Sequence, residues 1–167
     1  TVRDVNHWRT VLIGGMRYGG ACRKKDTTCN SATEDCVKTP ELDPGDNSKG
    51  LGYSSYFALD ITDVNNPQLL WEFTHEELGF ATAGPAVVRV SVRDVANSPL
   101  PDRNGKWFVV LASGPTGPID KDSRQFMGRS DQNLKLFVLD LKTGALLRPP
   151  LDTGEQFAFA GSMLNST

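Results

Sequence analysis

Apolar and polar positions alternate with a period of two along most of this chain. Ala86, Val88, Val90 and Val92 alternate with Val87, Arg89 and Ser91, and Leu69, Trp71 and Phe73 with Leu70, Glu72 and Thr74. That period is the signature of β-strands. Trp107 to Ala112 is apolar at every position and rich in β-branched and aromatic residues, as in a strand buried on both faces. Turn dipeptides punctuate the runs at Asn66-Pro67, Asn104-Gly105, Thr143-Gly144 and Pro149-Pro150. No stretch shows the 3.6-residue period of an amphipathic helix. The pattern predicts antiparallel strands near 8–14, 54–61, 68–74, 84–92, 106–113, 134–140 and 145–151.

The pattern also repeats. Tyr56-Phe-Ala-Leu-Asp-Ile61 returns as Leu136-Phe-Val-Leu-Asp-Leu141, and Phe80-Ala-Thr-Ala-Gly84 as Phe157-Ala-Phe-Ala-Gly161. Trp8-Arg-Thr-Val-Leu-Ile-Gly-Gly15 returns as Trp107-Phe-Val-Val-Leu-Ala-Ser-Gly114, which aligns Trp8 with Trp107. The order is the same in both copies. Four antiparallel strands in series make a β-propeller blade, and a repeat unit buries its faces only against its neighbours. The expected fold is therefore all-β: about two four-stranded antiparallel blades of a partial propeller. Residues 1–79 carry strands of one blade, 80–155 a full blade and 156–167 the start of the next. A Cys-containing insert at 19–52 interrupts the first.

Composition sharpens this picture. Gly and Pro number 16 and 10 in 167 residues, above an average share of roughly 12%, as a turn-rich β fold requires. The formal net charge is −2, without the basic excess on which nucleic-acid binding depends. Residues 50–88 hold no Lys or Arg but do hold Asp60, Asp63, Glu72, Glu76 and Glu77, a solvated acidic face in preference to a cation site. The longest apolar run, Trp107 to Ala112, falls far short of the roughly 20 residues of a membrane span. The chain begins Thr-Val-Arg, with neither initiator Met nor signal-peptide pattern, which reads as a processed product or a piece of something longer.

The chemistry-bearing residues mostly have structural readings. Asp60 and Asp140 end equivalent strands, where Asp commonly accepts backbone N–H groups of the following turn; that role outweighs a ligand role. Trp8, Trp71 and Trp107 have the rings to stack on a sugar or quinone, but their apolar neighbours favour core packing. Gly14-Gly15 and Gly19-Gly20 follow a strand but lack the Lys-Ser/Thr and helix of a phosphate loop. The two histidines, His7 and His75, lie in different repeats with no nucleophile motif beside them, and no Gly-x-Ser-x-Gly occurs. Asn165-Ser-Thr167 fits the glycosylation pattern.

Cys22, Cys29 and Cys36 are spaced too widely for a zinc site and have no fourth ligand. In an exported protein two of them are expected to bridge and staple the insert. Asp43, Asp46 and Asn47 form an oxygen-rich turn, and Asp102 and Asn104 another. They are the weak metal candidates, weighed below plain turns. The two long connections, 19–52 and 115–133, follow the second strand of their repeats, read as non-strand, and are expected to emerge side by side. Arg17, Tyr18, Arg23, Lys24, Lys25, Asp120, Asp122, Arg124 and Arg129 are their candidate contact residues.

In order, Trp8 to Gly15, Tyr56-Phe-Ala-Leu-Asp-Ile-Thr-Asp63 with Asn66-Pro67, Leu69-Leu-Trp-Glu-Phe73, Gly84-Pro-Ala-Val, Lys106-Trp-Phe-Val-Val and Leu136 to Gly144 resemble the C-terminal propeller of PilC/PilY-type type IV pilus biogenesis and adhesion proteins. The resemblance spans nearly the whole chain outside the insert. It implies a non-enzymatic module promoting pilus assembly and surface attachment, placed in the bacterial envelope, at the pilus tip or outside the cell. The implied partners are pilins or minor pilins, the remaining blades, and a host or surface receptor, with no nucleic acid and no membrane span. The family binds calcium through an Asp-x-Asp-x-Asn-x-Asp-Gly loop. That loop is absent here, with Asp102-Arg-Asn104-Gly105 only a short echo, so no catalytic or cofactor residue is assigned. The alternatives are a fragment of a quinoprotein-like (PQQ-type) dehydrogenase propeller, whose stacking Trp and metal-binding residues cannot be placed here, or an envelope scaffold propeller.

Overall fold

The computed structural model describes residues 8–17, 54–90, 96–97, 105–116, 130 and 132–163, and the strand backbones at 2–3, 22–25, 28–29, 36–38 and 119–120. In chain order the strands are β1 (Val2–Arg3), β2 (Trp8–Arg9), β3 (Val11–Gly15), β4 (Cys22–Lys25), β5 (Thr28–Cys29), β6 (Cys36–Lys38), β7 (Tyr56–Asp60), β8 (Gln68–Phe73), β9 (Ala86–Arg89), β10 (Trp107–Ala112), β11 (Ile119–Asp120), β12 (Lys135–Asp140) and β13 (Leu151–Asp152). The described residues contain no helix. The fold is all-β, built of partial blade-like antiparallel sheets.

Two sheets carry the body. One has three strands in the order β3-β7-β8; the other has four, β9-β10-β12-β13, with every neighbouring pair antiparallel. They pack face to face. Tyr56, Ala58, Trp71 and Phe73 on the first meet Val109, Leu111, Phe137 and Leu139 on the second, and all are buried. The Phe73 and Phe137 rings meet edge to face at 5.7 Å. Trp71 Nε1 donates to the Leu141 carbonyl at 2.8 Å, so the one polar atom of that buried ring is satisfied.

Hydrogen-bond register makes the two sheets equivalent and corrects the sequence alignment. Ile61 N–H bonds to the Thr10 carbonyl, and Leu141 N–H bonds to that of Trp107. Asp60 pairs with Val11 and Asp140 with Phe108. The structural counterpart of Trp107 is thus Thr10, two positions beyond Trp8. Trp8 instead pairs with Arg3 in the two-stranded β1-β2 sheet and is 63% exposed, so its expected core role is overturned. The match of two Trp residues was a likeness of side chains; the turn into the next strand sets the register. Trp71 is core as expected, and Trp107 is half-buried against the core with the Arg89 guanidinium 5.8 Å from its ring.

The fourth strand of the second sheet also departs from the expected 145–151. Leu146 makes an isolated bridge to Leu139, residues 148–150 leave the ladder, and pairing resumes at β13 with Lys135 and Leu136. Pro149 and Pro150 explain the gap, since neither has an N–H to donate. The first sheet bulges at the matching place, between Ala58 and Leu59, where Leu70 is the extra residue.

A connecting segment, 77–83, joins the sheets at one end. Leu78 accepts from Gly114 N–H, Phe80 N–H donates to Pro115, and Ala81 accepts from Arg17 N–H. Leu78, Phe80, Ala81 and Ala83 are buried. Phe157, the sequence counterpart of Phe80, is 74% exposed.

Candidate functional site

Strands β3 and β10 both run out at the end of the body where β7 and β12 begin. The connections 16–55 and 113–134 therefore emerge together, and polar side chains collect at their roots. Ser54 Oγ donates to the Arg17 carbonyl and accepts from Ala81 N–H, both at 2.6 Å, so one buried hydroxyl ties the insert's exit to the segment joining the sheets. Ser55 Oγ donates to Glu72 Oε1 at 2.7 Å. Ser113, also buried, accepts from Lys135 N–H at 2.9 Å. Tyr56 donates its hydroxyl to the Ala83 carbonyl at 2.7 Å, and burial pushes its pKa up to about 12.

Lys135 is the charged centre of this end. Its Nζ lies 2.7 Å from Asp152 Oδ2 and 3.2 Å from Glu77 Oε1. Gln132 reinforces the cluster by donating Nε2–H to the Glu77 carbonyl at 2.7 Å. The hydrogen bond from Lys135, followed by those from Gly154 N–H and Asn133, holds the Asp152 carboxyl down at about 2. A depressed folded-state value stabilises the fold above the ordinary 3.8 and loses that contribution as pH falls toward 2. Asp152→Asn is thus expected to flatten the acid limb of stability between about pH 4 and 2. Denaturation midpoints measured across that window check it, and an unchanged limb would refute the role given to Asp152.

Arg17, a predicted contact residue, is exposed at the mouth of the insert with φ of 52°, a left-handed conformation uncommon outside glycine. Arg23, Lys24 and Lys25 lie in β4, and Asp120 lies in β11. These residues fall in stretches read as non-strand, and the structure corrects that reading. The two connections share a four-stranded sheet, β11-β6-β4-β5, in which Ile119 pairs with Val37 and Asp120 with Cys36. The Arg-Lys-Lys run has no apolar alternation to announce a strand. What sequence did reveal was that both connections leave from equivalent places. Tyr18, Asp122, Arg124 and Arg129, the metal candidates Asp43, Asp46, Asn47, Asp102 and Asn104, and the Asn165 sequon lie outside the described residues.

The register gives each cysteine a partner of another type: Cys22 opposite Lys38, Cys29 opposite Lys24 and Cys36 opposite Asp120. No two cysteines are cross-strand neighbours. Among the described residues no three His, Cys, Asp or Glu side chains gather as metal ligands. Both repeated aspartates hold turns. Asp60 Oδ1 accepts from Thr62 N–H, and Asp140 Oδ1 accepts from Lys142 and Thr143 N–H, each at 2.9 Å. Asp60 also receives Arg9 at 3.2 Å; its carboxyl is lowered first by the Thr62 hydrogen bonds and less by Arg9.

The chain is similar to the type IV pilus biogenesis factor PilY1 of Pseudomonas aeruginosa (strain PAK), with 31% identity over 150 residues and 88% of this chain. It is likewise similar to a PilY1 homolog of Xylella fastidiosa, at 28% identity over 157 residues. In each case it spans about 8% of the relative's length. No protein-family model matches the chain. No solved structure matches it.

Proposed function

We propose, from the premise that this chain is a segment of a PilY1-type protein, that it is a β-propeller segment whose loop end serves type IV pilus assembly and attachment by recognition. The longer protein works at the bacterial envelope or pilus tip, and its partners are pilins and a surface receptor. No helix of the described residues is long and apolar enough to cross a membrane.

The carrying observation is the pairing of β6 with β11. It joins connections from two successive repeats into one small sheet, and the Ser54 and Ser113 hydrogen bonds fix the roots of those connections on the two-sheet body. Loops positioned by a scaffold are where binding proteins keep their contacts. The candidate residues of both signs suit a protein partner better than a small apolar ligand. Ser54, Ser55, Glu72, Glu77, Lys135 and Asp152 are engaged in bonds within the fold, which supports recognition over chemistry.

Removing residues 20–51 from the full-length protein is expected to abolish piliation while leaving the thermal midpoint of the two-sheet body within a few degrees. Piliation and attachment at the level of the intact protein would overturn the proposal. Quinone-dependent dye reduction by the full-length protein would favour the dehydrogenase alternative instead.

A further inference from the structure

The small sheet formed by the two connections gathers all three cysteines on one face. Alternation along β4 puts Cys22 and Lys24 on the same face, and along β6 it does the same for Cys36 and Lys38. Cys22 is opposite Lys38, Cys29 opposite Lys24 and Cys36 opposite Asp120, so the six positions share a single face of the β11-β6-β4-β5 sheet. Arg23, Lys25, Val37 and Ile119 take the other face.

The same register sets the distances. A disulfide needs Cα atoms within about 7 Å of each other. Cys29 and Cys36 lie on the two strands that flank β4, two strand spacings or roughly 9–10 Å apart. Cys22 is diagonal to both of them, at roughly 7–8 Å. No pair can be bridged without moving the backbone, so the bridge that an exported compartment favours has no place within this sheet. Directly opposite positions are about 4.5–5.5 Å apart at Cβ. A lysine that close favours the thiolate, which is the nucleophile in thiol–disulfide exchange. Cys22 and Cys29 each have a lysine opposite. One further step along the β4–β6 register sets Lys24 across from Cys36 too, but Asp120 stands opposite Cys36 from the other side and offsets it. We infer that this face is a thiol-modification site, in which Cys22 and Cys29 take up a low-molecular-weight disulfide as a lasting mixed disulfide. The cysteine thiolate attacks one sulfur of that disulfide; the new S–S bond forms as the old one breaks, and the departing thiolate takes a proton from water. No second cysteine is placed to displace the adduct, so it persists.

The inference rests on the register of the small sheet, and its readout is chemical, so it stands or falls apart from piliation. The full-length protein is mapped without reduction and then incubated with oxidised glutathione, and peptide-level mass spectrometry follows the adduct at each cysteine. Cys22 and Cys29 are expected to be modified roughly fivefold or more faster than Cys36. Lys24→Gln should slow Cys29 several-fold and leave Cys22 unchanged, and Lys38→Gln should do the reverse. The unaffected cysteine in each variant reports that the fold is intact, and Lys24→Arg should restore the Cys29 rate. A disulfide joining any two of the three cysteines, no adduct at Cys22 and Cys29, equal rates at all three, or rates indifferent to both lysines would overturn it.

Discussion

Replacing Trp71 by alanine is expected to lower the unfolding free energy by about 3–5 kcal/mol. The ring is buried between the sheets, and it also sits on the turn of the second one. A Cβ on Gly144 would lie 2.5 Å from Trp71 Cγ, and the indole N–H holds the Leu141 carbonyl at 2.8 Å. The variant therefore loses ring burial, leaves a cavity and orphans a carbonyl. Trp71→Phe keeps most of the apolar area and should cost about 1–3 kcal/mol, the penalty of the unmet acceptor. Gly144 has φ of +69° as well as the ring above it, so Gly144→Ala is strained twice in the wild-type background. In a Trp71→Ala background the ring clash is gone and only the 2.7 Å approach to the residue 71 Cβ remains, so the two substitutions should be non-additive. Denaturant titrations followed by circular dichroism give all four corners of the cycle. A cost below about 1 kcal/mol for Trp71→Ala would contradict the description of the interface.

Gly114→Ala is expected to be comparably damaging for a different reason. Its Cβ would fall 1.8 Å from the Phe80 carbonyl oxygen, a backbone atom that has no rotamer to escape into. The segment 77–83 would have to move off the sheet end, breaking the Gly114–Leu78 and Phe80–Pro115 hydrogen bonds together. Overpacking against backbone with loss of both bonds should cost about 3 kcal/mol or more. Gly161→Ala is the control, because nothing lies within 4 Å of the added carbon. Equal stabilities for the two variants would mean that the segment does not join the sheets as described.

Most of the body was legible because both faces of each sheet are packing faces or nearly so, and strand patterns survive where burial demands them. The aspartate turns were legible for a local reason: the carboxylate and its N–H partners are within three residues of one another. Register was not legible. The Trp8 and Trp107 motifs match in letters, yet hydrogen bonding aligns Thr10 with Trp107, and a period-two pattern does not reveal a two-residue slip, which keeps every side chain on its face. The joining segment 77–83 was flagged only by the recurrence of Phe80-Ala81, because its backbone partners lie on two different sheets. At the candidate site, sequence located the roots of both connections through the repeat. The β6–β11 pairing depends on contacts more than eighty residues apart in strands whose side chains carry little apolar pattern, and it was out of reach.

We propose that this body is one stretch of a closed series of sheets within a longer PilY1-type protein. Thiol labelling of the full-length protein tests it most directly, with Leu12→Cys and Val88→Cys on the sheet faces turned away from the shared core and Val64→Cys, 77% exposed in a turn, as reference. Peptide-level mass spectrometry separates these sites from Cys22, Cys29 and Cys36. The prediction is that residue 64 labels rapidly, while residues 12 and 88 label at least tenfold more slowly because further sheets cover both faces. Labelling of residues 12 and 88 as fast as residue 64 would contradict it.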